Sequence, residues 1–162
     1  MSKPILDQFD RRIIAELQKD ARITNVALAE KVGLSPPPCL RRVKRLEDEG
    51  VIRAWRIEID RKALGLGVTV FVGVKFDQPQ EIESSEFVAA IGRWSEVVSC
   101  QLITGDMDFL LEVVVEDQDA YQRFLFDKLL KIPHVKDVRS NFAIKTFKTG
   151  GALPFATEAT SP

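Results

Sequence analysis

Apolar residues recur along the first fifty positions at three- and four-residue intervals. Leu6, Phe9, Ile13 and Leu17, with Ile14 beside them, draw one stripe on a helix from Asp7 to Asp20, and Asp7 suits its N-cap. Thr24 offers a second cap, to a short helix whose Leu28, Ala29 and Val32 face inward and whose end is marked by Gly33. Leu34 and Ser35 then lead into Pro36, Pro37 and Pro38, after which Cys39, Val43 and Leu46 repeat at i, i+4 and i+7 until Gly50. From Val51 to Ile59 the alternation is imperfect, as in short strands or a wing.

After Asp60 to Gly67, which reads as a connection, the pattern changes. Val68 to Phe76 is apolar and β-branched, and an amphipathic helix from Glu81 to Arg93 bears Phe87, Val88 and Ile91. Two strands follow, Val97 to Thr104 and Asp108 to Val115, joined by a turn at Gly105, Asp106 and Met107. Ala120 to Lys131 forms another helix with Tyr121, Phe124, Leu125 and Leu129 inward, and Val135 to Lys148 is a last strand. The fold class is therefore α+β: an N-terminal winged helix-turn-helix over 1–60, a linker over 61–67, a ferredoxin-like βαββαβ domain over 68–148 and a flexible tail over 149–162. Helices cover one face of such a sheet. The other face needs a second chain, which predicts a homodimer or a larger assembly.

Charge sharpens the division. The net charge of the whole is −1, yet residues 1–62 carry +4 and the remainder −5, as expected when one end approaches phosphates. From Ser35 to Arg45 there are four cations and no acid. With Cys39, Val43 and Leu46 inward, the opposite side of this helix presents Pro38, Arg41, Arg42 and Arg45, with Lys44 on the flank. On an isolated helix this reads as a solvated basic face. A short helix, a Gly-Leu-Ser turn and then a basic helix is also the order in which a helix-turn-helix presents its recognition helix to the major groove of double-stranded DNA. Arg53 and Arg56 are placed to touch flanking phosphates.

The proline triplet restricts how this helix meets DNA. The helix begins either at Pro36 or, because a residue before proline is pushed out of the α region, only at Pro38. In both cases the first available amide is that of Cys39. Ser35 as N-cap then lacks its usual amide partners, and its hydroxyl is free for a phosphate. The helix N-terminus is a poor anion site through its amides, which shifts the load to Arg41, Arg42, Lys44 and Arg45.

The run LDQFDRRIIAELQKDARITNVALAEKVGLSPPPCLRRVKRLEDEGVIRAW resembles the Lrp/AsnC family of leucine-responsive, feast/famine transcription regulators, and the resemblance continues through QLITGDMDFLLEV and KIPHVKDVRS, covering residues 5 to 148. Pro37 stands where many members carry a small hydroxyl residue. The resemblance implies a sequence-specific regulator that assembles into dimers and rings of dimers, binds a near-palindromic operator and is modulated by a small-molecule effector, an amino acid. It further implies an effector site around Leu102, Thr104, Gly105, Asp106, Met107 and Asp108, where Asp106 or Asp108 accepts from the ammonium and the turn amides bind the carboxylate. Read without the resemblance, the same residues make a plain hairpin turn.

Other classes find little support. No apolar run approaches the ~20 residues of a membrane span and no secretory signal leads the chain, which places it in the cytosol. Cys39 and Cys100 lie far apart without ligand spacing, so a disulfide framework or zinc site is not expected, and both read as buried free thiols. His134 reads as an exposed loop residue. No nucleophile and base come together and no phosphate loop is present, so neither an enzyme nor a cofactor is expected. The alternative is an architectural DNA-organising protein that works without an effector.

Overall fold

The computed structural model describes residues 4–77 and 86–156, which divide into two compact units, the first holding 4–58 with 148–156 and the second 59–77 with 86–147. The first contains α1 (Gln8–Lys19), α2 (Asn25–Val32) and α3 (Pro36–Asp48). Asp7 caps α1 through a capping box: its Oδ1 accepts from the Asp10 amide at 2.9 Å, while its own amide donates to Asp10 Oδ2 at 3.1 Å. Thr24 caps α2 by accepting from the Ala27 amide, and Gly33 ends it in the left-handed conformation at φ 76°. All three prolines lie inside α3, which begins at Pro36. Ser35 is its N-cap and makes no side-chain capping bond. Ile13, Leu28, Ala29, Val32, Cys39 and Leu46 form the core between the helices.

Beyond Gly50 the expected wing strands do not form. Val51 and Ile52 pack on the helical core, but residues 53–60 pair with no strand, and Trp55, Ile57 and Ile59 are exposed. Strand-like alternation needs a neighbouring ladder to become a strand, and this stretch has none within its unit. Trp55 lies against the last turn of α3, its Nε1 donating to Glu47 Oε1 at 2.7 Å. The segment read as a flexible tail is drawn onto α1 as far as it is described. The Leu153 amide donates to Gln18 Oε1 at 2.6 Å, Gln18 Nε2 returns a bond to the Leu153 carbonyl, and Arg11 Nη1 donates to the Ala156 carbonyl at 3.1 Å. Residues 157–162 lie outside the described residues.

The second unit opens with a single 3-10 turn, Lys62–Leu64, and continues with β1 (Val68–Phe76), α4 (Glu86–Ile91), β2 (Val97–Leu102), β3 (Phe109–Val115), α5 (Gln118–Arg123) and β4 (Val135–Phe142). The expected start of α4 at Glu81 falls outside the described residues. The helix read from Ala120 to Lys131 is continuous in position but not in winding. After α5 it passes through a π turn, Phe124–Lys128, and a 3-10 turn, Leu129–Lys131. The sheet is antiparallel in the order β2-β3-β1-β4.

Alternation decides its two faces. Val70, Val72, Val74 and Phe76 of β1 and Phe109, Leu111, Val113 and Val115 of β3 pack under Phe87, Tyr121, Phe124 and Leu129. The Phe87 ring meets that of Phe109 edge-on at 4.9 Å, and Trp94 meets Phe124 at 5.5 Å. The intervening residues Thr69, Phe71, Leu110 and Glu112 point to the other face, which no element of the unit covers. There Arg61 Nη1 pairs with Glu112 at 2.8 Å and donates to Thr69 Oγ1 at 3.2 Å. Among the described residues, no helix is long and apolar enough to cross a membrane.

Candidate nucleic-acid interface and effector turn

At 100° per residue, the four cations of α3 do not share one environment. Arg42 and Arg45 flank the buried stripe on the side of α1, and both reach Asp10. Arg42 Nη1 stands 2.8 Å from Asp10 Oδ1 and 2.7 Å from Asp7 Oδ2, and Arg45 Nη2 stands 2.5 Å from Asp10 Oδ2. Asp10 is 1% exposed. Its position on α1, one turn before Ile13, places it at the edge of the core. Both its oxygens are satisfied from two directions, by the Asp7 amide and by the two guanidiniums. Arg42 also lies over the Phe9 ring at 5.4 Å. These two arginines, expected on the DNA-facing side, bridge α3 to the acids of α1.

Arg41 and Lys44 are exposed and form no ion pair with any described residue. Arg53 and Arg56 are likewise exposed and unpaired among the described residues. Ser35 is exposed with its hydroxyl uncommitted, and Pro38 is half-buried. Sequence periodicity fixes which residues face the core. It does not reveal that Asp10, a helix away, draws in the residues one turn apart at 42 and 45.

The turn between β2 and β3 divides in the same way. Asp108 is part of the frame: its Oδ2 accepts from the Phe76 amide at 2.7 Å, its amide donates to the Val74 carbonyl at 3.0 Å, and its carbonyl accepts from the Ile103 amide at 2.8 Å. Met107 is buried against Gly73, where an added Cβ would stand 2.9 Å from Met107 Cγ. Leu102, Thr104, Gly105 and Asp106 remain exposed, with Gly105 at φ 122°. Asp106 Oδ2 lies 3.7 Å from Arg139 Nη1. Arg139 escaped the reading of the sequence, because it is brought there by the pairing of β4 with β1, opposite Gly73. A carboxylate and a guanidinium thus stand together beside free turn amides. A separate groove of about 570 Å³, lined by Val98, Val114, Glu116, Phe124 and Lys128 among others, lies at the far ends of β2 and β3. The two thiols are free, Cys39 buried and Cys100 half-buried, and burial raises the pKa of each.

Residues 69–153 match the family model of the Lrp/AsnC ligand binding domain, and residues 6–53 match a winged helix-turn-helix DNA-binding model. The leucine-responsive regulatory protein of Salmonella typhimurium is 39% identical over 152 residues, covering 94% of this chain and 93% of its own; that of Escherichia coli K12 is 38% identical with the same coverage. Among solved structures, a transcriptional regulator of Neisseria meningitidis in complex with L-Met superposes with a TM-score of 0.86 at 38% identity, covering 93% of this chain and 97% of that one. An AsnC family regulator of Agrobacterium tumefaciens gives 0.84 at 37%, with 92% and 97% covered.

The clamp has a pH signature. Burial opposes the charge on Asp7, but the Asp10 amide and the Arg42 guanidinium outweigh it and hold the carboxyl below its ordinary value of 3.8. A carboxyl depressed on folding contributes stability that is complete above the unfolded value and is lost as pH falls through the folded one. Asp7→Asn keeps a capping oxygen and removes the titration. In urea unfolding followed from pH 7 down to about pH 2, the variant is expected to lose less stability than the wild type below about pH 4. Parallel pH profiles would contradict this account of Asp7.

Proposed function

The chain belongs to the Lrp/AsnC family, and from that premise we propose how this DNA-binding transcription regulator uses the residues described above. α3 enters the major groove by the face that carries Arg41 and Lys44. Ser35, Arg53 and Arg56 hold flanking phosphates, and Pro38 packs at the edge of the contact. The observation that carries this reading is the division of cations on α3: Asp7 and Asp10 engage Arg42 and Arg45, while Arg41 and Lys44 are left to an external anion. Arg41→Ala is expected to weaken binding by about 1–3 kcal/mol if it reads a base, or to reduce the salt slope by about one if it meets phosphate. Arg42→Ala leaves the salt slope unchanged and lowers the unfolding midpoint. The reverse pattern, with Arg42 carrying the slope, would place the other face on DNA.

An α-amino acid suits the turn between β2 and β3. Asp106 accepts from the ammonium, Arg139 and the amides near Gly105 receive the carboxylate, and Leu102 and Thr104 border the side chain. Asp108 and Met107 act by holding the turn in place. The L-Met complex of the Neisseria relative supports this ligand class. Binding to the native state raises the melting midpoint by mass action, by about 2.7 kcal/mol of stability at a hundredfold excess over Kd. Thermal melting with each proteinogenic amino acid is expected to single out one or a few, and Asp106→Asn and Arg139→Gln each to abolish the shift. No shift with any amino acid would favour the effector-independent architectural reading.

The open face of the sheet takes a second copy of the chain, in the cytosol where its DNA lies, and higher oligomers build from that dimer. Phe71, an aromatic 40% exposed at the centre of β1, is the group this pairing covers. A dimer binds two half-sites about one helical turn apart, or a multiple of it. Phe71→Glu is expected to lower the assembly state in sedimentation velocity at micromolar concentration. An unchanged distribution would move the interface elsewhere.

A further inference from the structure

With Arg42 and Arg45 drawn towards α1, the outward face of α3 has a composition that charge does not explain. Pro37, Leu40, Arg41 and Lys44 fall on one side of the helix. Pro36 and Pro37 are exposed, and Leu40 is 57% exposed in the midst of them. Asn25 Nδ2 donates to the Pro36 carbonyl at 2.8 Å, fastening the start of α2 to the start of α3, and the next residue, Val26, is 64% exposed. A lone exposed leucine needs no explanation. One set among prolines, beside two exposed cations and on the helix that approaches DNA, does.

The chemistry of this tip is restricted. Pro36, Pro37 and Pro38 have no N–H to donate, and Leu40 has no polar side-chain atom. Such a surface reads nothing from the hydrogen-bonding edges of bases. The major groove nevertheless displays one apolar group, the C5-methyl of thymine, which distinguishes T·A from the other pairs by contact alone. We propose that Leu40 is a specificity-determining residue that reads thymine methyl groups in each half-site, while Arg41 and Lys44 hold α3 against the duplex. This rests on the reading that α3 enters the groove by its exposed face. It assigns sequence preference to an apolar contact rather than to the cations beside it.

Deoxyuridine isolates the methyl, because it pairs as thymine does and retains every hydrogen-bonding group. The probe is a synthetic duplex carrying the site that the full-length protein selects from a random-sequence pool, with each thymine replaced in turn. At one or more positions per half-site, the wild-type Kd is expected to rise about threefold to fivefold, the factor for one methyl-sized group losing its burial. Leu40→Ala, an exposed substitution whose unfolding midpoint is checked alongside, is expected to bind the thymine duplex more weakly and to lose the distinction at those positions. Arg41→Ala is expected to keep it. Equal affinity of the wild type for thymine and deoxyuridine duplexes, an undiminished distinction in Leu40→Ala, or a selected site without thymine overturns the proposal. The salt slope on the same duplexes separates this failure from a larger one. A steep slope with no methyl effect removes only the role of Leu40, whereas a flat slope removes the placement of α3 as well.

Discussion

Asp10 is a buried carboxylate in the first unit, and the two guanidiniums that reach it tie the rotation of α3 to α1. Apolar contact among Ile13, Leu28, Cys39 and Leu46 holds the helices together but tolerates small rolls of one against another, since such contact has little directional preference. Two guanidiniums converging on one buried carboxylate do not tolerate them. Hydrogen bonds to charged groups contribute about 1.5–3 kcal/mol each, and removing one partner leaves the others uncompensated. The same contacts divide the cations of α3: Arg42 and Arg45 pair with acids of α1, whereas Arg41 and Lys44 have no acidic partner among the described residues.

Local signals made most of the fold legible in the sequence. Asp7, Thr24 and Gly33 bound their helices as capping chemistry requires, and the bounds of β1 follow from its apolar run. What escaped depends on partners distant along the chain. Arg42 and Arg45 are one turn apart and suit a solvated face as well as a clamp on a buried acid; only the approach of α1 brings that acid to them. The stretch after Gly50 alternates like a strand and has no ladder to join. The winding of the segment after α5, which slips into a π turn, has no visible mark in its apolar periodicity.

The turn between β2 and β3 illustrates the same limit at a smaller scale. Gly-Asp-Met-Asp reads as four equivalent candidates, yet the two carboxylates have separate roles. Asp108 satisfies the Phe76 amide at the end of β1 and ties that strand to the turn, whereas Asp106 points outward to Arg139. The register of β4 on β1 supplies the arginine, and register is a property of the assembled sheet. On the open face of that sheet Phe71 stands beside the Arg61 and Glu112 pair, a neighbourhood likewise set by the register of β1 on β3.

Gly73 has neither charge nor side chain, yet the shape of the turn depends on it. Met107 occupies the space a Cβ at position 73 would fill, so the volume of a β1 residue is in effect part of a loop more than thirty positions away in the chain. The missing methyl acts as a socket. A methyl group at position 73 would displace Met107, so the seat of that side chain lasts only as long as position 73 stays without a Cβ.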